Sequence, residues 1–124
     1  MTGSVVCFTG AMKLRILEAM GLEETKVRSN LITTLDLSSI DPYLQVNVDE
    51  ENIYKTNKKL NTFSPEWDED FSTNLKEAKV ISFTVFHDSI VGGGAFVSNS
   101  AIPLQEIIEE GQPDLWVSQL LGWS

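Results

Sequence analysis

The chain has 124 residues, of which 42% are hydrophobic and 22% charged, the size and composition of one globular domain with a single core. A formal net charge of −9 argues against nucleic acid, whose affinity depends on a basic face, and it weakens simple electrostatic attraction to anionic lipid. One cysteine, Cys7, rules out an internal disulfide and suits a reducing, cytoplasmic setting, with a small inert apolar side chain as its plain reading. Apolar runs are only a few residues long, too short to span a bilayer as a helix. No secretory signal is expected at the start, and Gly3 lies one place too far in for N-myristoylation.

Taken in chain order, short alternating stretches recur between turn signals. Met12–Ala19 sets Met12, Leu14 and Ile16 against Lys13 and Arg15. Gly21–Ile40 is a long mixed connector, and loops of that length usually carry function. Tyr43–Val48 turns Leu44, Val46 and Val48 one way and Gln45 and Asn47 the other, and Ile53–Lys58 is a more polar strand candidate. Glu69–Asn74 is short, and Val80–His87 is the strongest strand, with Ile81, Phe83 and Val85 on one face. Phe96–Ile102 and Leu115–Val117 complete the strands. Between those two, Leu104–Glu110 predicts one or two helical turns ended by Gly111. Seven or so strands of this length predict an all-β antiparallel sandwich, and periodicity alone does not name its topology.

Two motifs go further. Asp41-Pro42-Tyr43-Leu44-Gln45-Val46 is a turn that opens directly into an alternating strand. Thr56-x-x-Lys59-x-x-Thr62-x-Ser64-Pro65-x-Trp67-x-Glu69-x-Phe71 places a chain-stiffening Pro65 before a large ring, with Phe71 on the same face as Trp67. Together they resemble the C2 domain, with Ser64 where that family usually has Asn. Glu18-Ala19-Met20-Gly21-Leu22 and the block Phe83–Ser98 are similar to the N-terminal C2 domain of the novel protein kinases C, the epsilon and eta kind. The resemblance covers roughly residues 8–117. It implies a type II C2 sandwich, a regulatory rather than catalytic role and a parent serine/threonine kinase, with recruitment from the cytoplasm to membranes. After Val117 the family continues with an acidic turn and a last long strand. Here Ser118–Ser124 diverges, so the expected division is a domain over 1–117 and a divergent or truncated tail over 118–124.

The resemblance also bears on calcium, which needs about six to eight oxygen ligands and so several converging carboxylates. The family's later-loop ligand positions fall on His87, Ser89 and Ala95, and its earlier loop keeps Asp41 but has Leu35 at the other acidic place, with Asp36 one residue away. Calcium binding is therefore not expected, and Asp41 reads as the cap of the turn before Pro42. No metal or cofactor is expected elsewhere. His87 is the only histidine, so no metal site, Ser/His/Asp set or Cys/His set can be built on it. Gly92–Gly94 lacks the setting of a phosphate-binding loop.

The binding candidates each have a plainer alternative. Lys55, Lys58 and Lys59 form the one basic cluster, a head-group contact or an ordinary solvated face partly cancelled by Glu66, Asp68, Glu69 and Asp70. Ile90-Val91 before three glycines is an apolar loop tip that inserts at a bilayer or folds back on the sandwich, and Leu31-Ile32 is a second such tip. In the resembling subfamily, segments matching Glu18–Thr25, with Glu18 and Leu22, and His87–Gly94, with His87 and Asp88, are implicated in contacts with anchoring proteins and with the kinase's own domains. Two functions follow: docking on acidic phospholipid without calcium, or binding of protein partners.

Overall fold

The computed structural model describes residues 7–20, 22, 40–88, 94–108 and 115–122. Seven strands, β1 (Phe8–Met20), β2 (Pro42–Val48), β3 (Glu51–Lys55), β4 (Glu66–Ala78), β5 (Val80–Asp88), β6 (Gly94–Pro103) and β7 (Leu115–Gly122), form two sheets. One sheet has the order β4-β1-β7 and the other β3-β2-β5-β6. Every neighbouring pair is antiparallel except β1 with β7, which is parallel.

Alternation is what lets the two sheets face each other. In β1, Met12, Leu14 and Ile16 are fully buried while Lys13 and Arg15 are exposed. In the opposite sheet Leu44 and Val46 of β2 and Ile81, Phe83 and Val85 of β5 are likewise fully buried. Trp67 and Leu75 from β4 join the same cluster, as do Leu22, Ile40 and Leu104 from outside the strands. Tyr54 and Phe71 close one side of the sandwich, their rings stacked with centroids 4.3 Å apart. The Tyr54 hydroxyl donates to Glu69 Oε1 at 2.5 Å. Burial first, and then that bond, push the Tyr54 phenol up to about 12.

Several elements run past their expected ends, and each extension has a partner. β1 and β4 pair from Phe8↔Ala78 to Glu18↔Glu66, so the polar stretch around Asp70, Ser72 and Asn74 is strand because β1 supplies its hydrogen bonds. Arg15 Nε reaches Asp70 Oδ1 at 2.9 Å across that pair. β7 does not stop at Val117 but continues to Gly122, carried by parallel pairing of Ser118 with Arg15 through Gly122 with Met20. β3, by contrast, ends at Lys55. There the Thr56 hydroxyl takes the place of a ladder carbonyl, accepting the Leu44 N–H at 2.9 Å. Of the helical turns expected over Leu104–Glu110, the described residues hold one 3₁₀ turn, Leu104–Glu106, and Glu109 and Glu110 lie outside the described residues. Leu104 is its only buried residue, and Ile107 and Ile108 both donate their N–H to the Leu104 carbonyl.

The β2–β3 hairpin turns on Asp49 and Glu50, both with positive φ (48° and 76°), the backbone of a type I′ turn that favours Asn-Gly or Asp-Gly. Asp49 has a second role: its carboxylate accepts the Lys79 and Val80 N–H groups at the corner where β4 passes into β5. Glu50 is exposed and carries only the steric cost. Glu50→Gly is therefore expected to stabilise the domain by about 0.5–1 kcal/mol, read as a raised urea midpoint with unchanged slope. A lowered midpoint would show that the Glu50 side chain contributes a contact.

Candidate functional site

One end of the sandwich gathers most of the residues that the sequence singled out. β2 begins there at Pro42, β3 and β5 end there, and β6 starts there at Gly94. Backbone bonds converge on residues 40–42: Lys59 N–H to the Pro42 carbonyl, Thr62 N–H to Ile40 and Asp88 N–H to Asp41, at 2.8–3.0 Å. Asp41 Oδ1 accepts the Asn61 N–H at 2.8 Å, so its carboxylate ties the segment after β3 to the start of β2, a contact 20 residues away in sequence and not within the turn before Pro42. Its own N–H donates to Nδ1 of His87 at 2.9 Å, so that ring nitrogen is an acceptor and His87 ties β5 to β2. Pro42 and Pro65 are buried, and the Pro65 carbonyl accepts the Ala19 N–H.

The outer face of the four-stranded sheet carries a row of rings near this end. Tyr43 and Phe86 stack with centroids 5.5 Å apart, and Phe96, opposite Phe86 in register, is 38% exposed. Lys55 Nζ lies 4.7 Å over the Tyr43 ring, a cation–π contact. Gly94 has to be small, because a Cβ there would meet the Tyr43 hydroxyl and the Phe86 side chain. Burial and then the Asp88 charge raise the Tyr43 phenol above its ordinary value. Lys58 Nζ sits 2.6 Å from Asp88 Oδ2. That hydrogen bond and the accompanying charge attraction hold the Lys58 ammonium above its usual range and the Asp88 carboxyl below its own.

The structure thus brings Lys55, Lys58 and Asp88 together, with Lys59 adjoining them along the chain. It also exposes Leu60, which sequence reasoning passed over. Leu60 is 64% exposed, the most exposed large apolar side chain among the described residues. Its one signal was an isolated apolar residue in a polar run, Lys58-Lys59-Leu60-Asn61-Thr62, with no alternation to give it a face. Leu22 is fully buried in the core, and Glu18 is half-buried on the central strand β1, paired with Glu66 and Leu120. Ile90 and Val91, like Leu31, Ile32, Leu35, Asp36 and Ser89, lie outside the described residues.

The family model of the C2 domain matches residues 10–119. The chain belongs to the C2 domain family. Among curated relatives, this C2 domain is 34% identical over 109 residues to rabbit (Oryctolagus cuniculus) protein kinase C epsilon type, covering 86% of this chain and 15% of that protein. It is also 34% identical over 117 residues to a Drosophila melanogaster protein kinase C, covering 90% of this chain and 16% of that protein. To human protein kinase C eta type it is 32% identical over 110 residues, 87% of this chain and 16% of that protein. It therefore spans about one-sixth of the length of these relatives. Among solved structures, a C2 domain of a plant extended synaptotagmin 1 superposes with a TM-score of 0.61 at 22% identity, covering 80% of this chain and 72% of that one. Human GIVD cytosolic phospholipase A2 superposes at 0.62 and 19% identity, covering 84% of this chain and 15% of that one. Both likenesses concern the fold. C2 domains as a family are modules for membrane or protein contact.

Among the described residues of this C2 domain no three His, Cys, Asp or Glu side chains converge on a point that could hold a metal ion. Asp41 spends a carboxylate oxygen on Asn61, His87 spends Nδ1 on Asp41, and Ala95 is a buried methyl. No helix among the described residues is long and apolar enough to cross a membrane.

Proposed function

We propose that this C2 domain docks peripherally on acidic phospholipid membranes without calcium, and that in its parent protein it targets a protein kinase C-like kinase. One observation carries the reading: Leu60 is 64% exposed and follows Lys58 and Lys59 in the segment whose backbone is tied to Pro42 and Ile40, at the end where β5 leaves and β6 returns. An apolar side chain at the tip enters the interface, while the lysines on its shoulder meet head-group phosphates. The link between β5 and β6 contains Ile90 and Val91, the apolar pair assigned to the same contact. The identity with kinase relatives supports the regulatory role, and the module itself carries no catalysis in this reading.

Sedimentation with phosphatidylcholine vesicles, with and without phosphatidylserine, tests the proposal. Binding is expected only where phosphatidylserine is present, and to the same extent in calcium and in EDTA. Calorimetric titration with calcium is expected to give no saturable heat, since the family's later-loop ligand positions fall on His87, Ser89 and Ala95, none of which brings a carboxylate. A micromolar binding isotherm would overturn the calcium-independent assignment.

A second reading, docking of protein partners, is favoured by the net charge of −9 and by the pairing of Lys58 with Asp88, which leaves less free cationic charge for lipid. It takes over if the domain fails to sediment with any acidic vesicle. In that case the candidate contacts are Glu18, His87 and Asp88 for an anchoring protein or another domain of the parent chain.

A further inference from the structure

Beside the end of β3 lies a recess of about 330 Å³ lined by Tyr43, Lys55, Thr56, Asn57, Lys58, Asp88 and Gly94. Its two cations are placed differently. Lys55 Nζ stands 4.7 Å over the Tyr43 ring, whereas Lys58 is already taken by Asp88 at 2.6 Å. We propose that Asp88 is an internal competitor for phosphate at Lys58, so that the recess is self-neutralised until a phosphate group displaces the carboxylate. This rests on the anionic-docking reading above and adds the residue that sets how strongly the anion is held.

The position of Asp88 is imposed by the fold. Its N–H donates to the Asp41 carbonyl and it pairs in register with Gly94, which brings the carboxylate to the rim of the recess. Exposure decides whether the carboxylate is a lock or a competitor. The Lys58 and Asp88 side chains are 49% and 40% exposed, and ion pairs so exposed to water are weak enough for an arriving anion to break. A phosphate reaching Lys58 therefore meets two costs, the loss of the existing pair and repulsion by the carboxylate that remains nearby. Inorganic phosphate or a phosphate monoester carries more charge near neutral pH than the carboxylate it replaces, and Lys55 and Lys58 both line the recess it enters.

The test uses the full 124-residue chain, with inorganic phosphate followed by NMR shift titration and vesicles of phosphatidylcholine with phosphatidylserine followed by sedimentation. Asp88→Asn is expected to bind phosphate about three- to tenfold more tightly than the parent chain, and Lys58→Gln more weakly. In the Lys58→Gln background Asp88→Asn should give no gain, because the competitor acts through that lysine. An unchanged affinity in Asp88→Asn, or a gain that survives Lys58→Gln, overturns the proposal. The vesicle arm separates the two ideas. Tighter phosphate binding with no sedimentation of either protein keeps the competitor role and assigns the recess to a free phosphate or phosphorylated solute. Equal sedimentation of both proteins with equal phosphate affinity keeps lipid docking and removes the competitor.

Discussion

Trp67→Ala is expected to lower stability by about 3 kcal/mol and to leave a substantial unfolded fraction in mild denaturant. Trp67 is 3% exposed and belongs to the core cluster between the sheets, so truncation removes the buried area of an indole and leaves a cavity. Large aromatic-to-alanine changes in cores cost about 3–5 kcal/mol. The lower end applies here because the indole Nε1–H is buried without an acceptor among the described residues. Removing it relieves an unpaired donor worth about 1–3 kcal/mol. Trp67→Phe separates the two effects: it keeps a ring in the slot and deletes the donor, and its loss should stay within about 1.5 kcal/mol. Urea unfolding followed by far-UV circular dichroism measures both. A wild-type midpoint for Trp67→Ala would mean that the ring is not packed between the sheets, and a Phe variant as damaged as the Ala variant would mean that the indole nitrogen does have a partner.

Replacing Leu60 with Ser is expected to weaken binding to phosphatidylserine-containing vesicles about fivefold to tenfold. Replacing Ile90 and Val91 together with Ser should weaken it at least tenfold. A fully buried apolar side chain contributes roughly 1.5–3 kcal/mol, and partial insertion of Leu60 keeps about 1 kcal/mol or a little more of that. Because Leu60 is 64% exposed, its replacement removes little folded-state packing, so the thermal midpoint should hardly move. Salt distinguishes the tip from the lysines. With a net charge of −9, attraction to an anionic surface is local and small, and raising ionic strength should reduce binding less than the tip replacements do. Strong salt sensitivity with no effect of any Ser replacement would place the contact on Lys55, Lys58 and Lys59 alone.

Much of the architecture could be read in one dimension because the relevant physics is local. Alternation at Met12-Leu14-Ile16, Leu44-Val46-Val48 and Ile81-Phe83-Val85 assigns an inner face to each strand, and a period of two has no other economical structure. Pro42 opens β2 and Pro65 immediately precedes β4, although the sequence alone placed that strand's start at Glu69. The spacing of Asp41-Pro42-Tyr43 and Pro65-x-Trp67 carried the family likeness. Other features depended on partners distant in sequence. The polar residues of β4 are strand only because β1 lies beside them, and Ser118–Gly122 is strand only because β1 also accepts a parallel neighbour on its other edge. The docking end was the least legible. Lys58 and Asp88 are 30 residues apart, and Asn61 reaches Asp41 across 20. Leu60 stands out only once the Lys59 and Thr62 backbones are tied to Pro42 and Ile40. Side-chain alternation is written residue by residue along the chain, whereas the charge balance and exposure of a loop end depend on which strands close around it. The sequence by itself determined the sandwich and its inner faces, and only the tertiary structure decided that one lysine of the basic cluster is already paired.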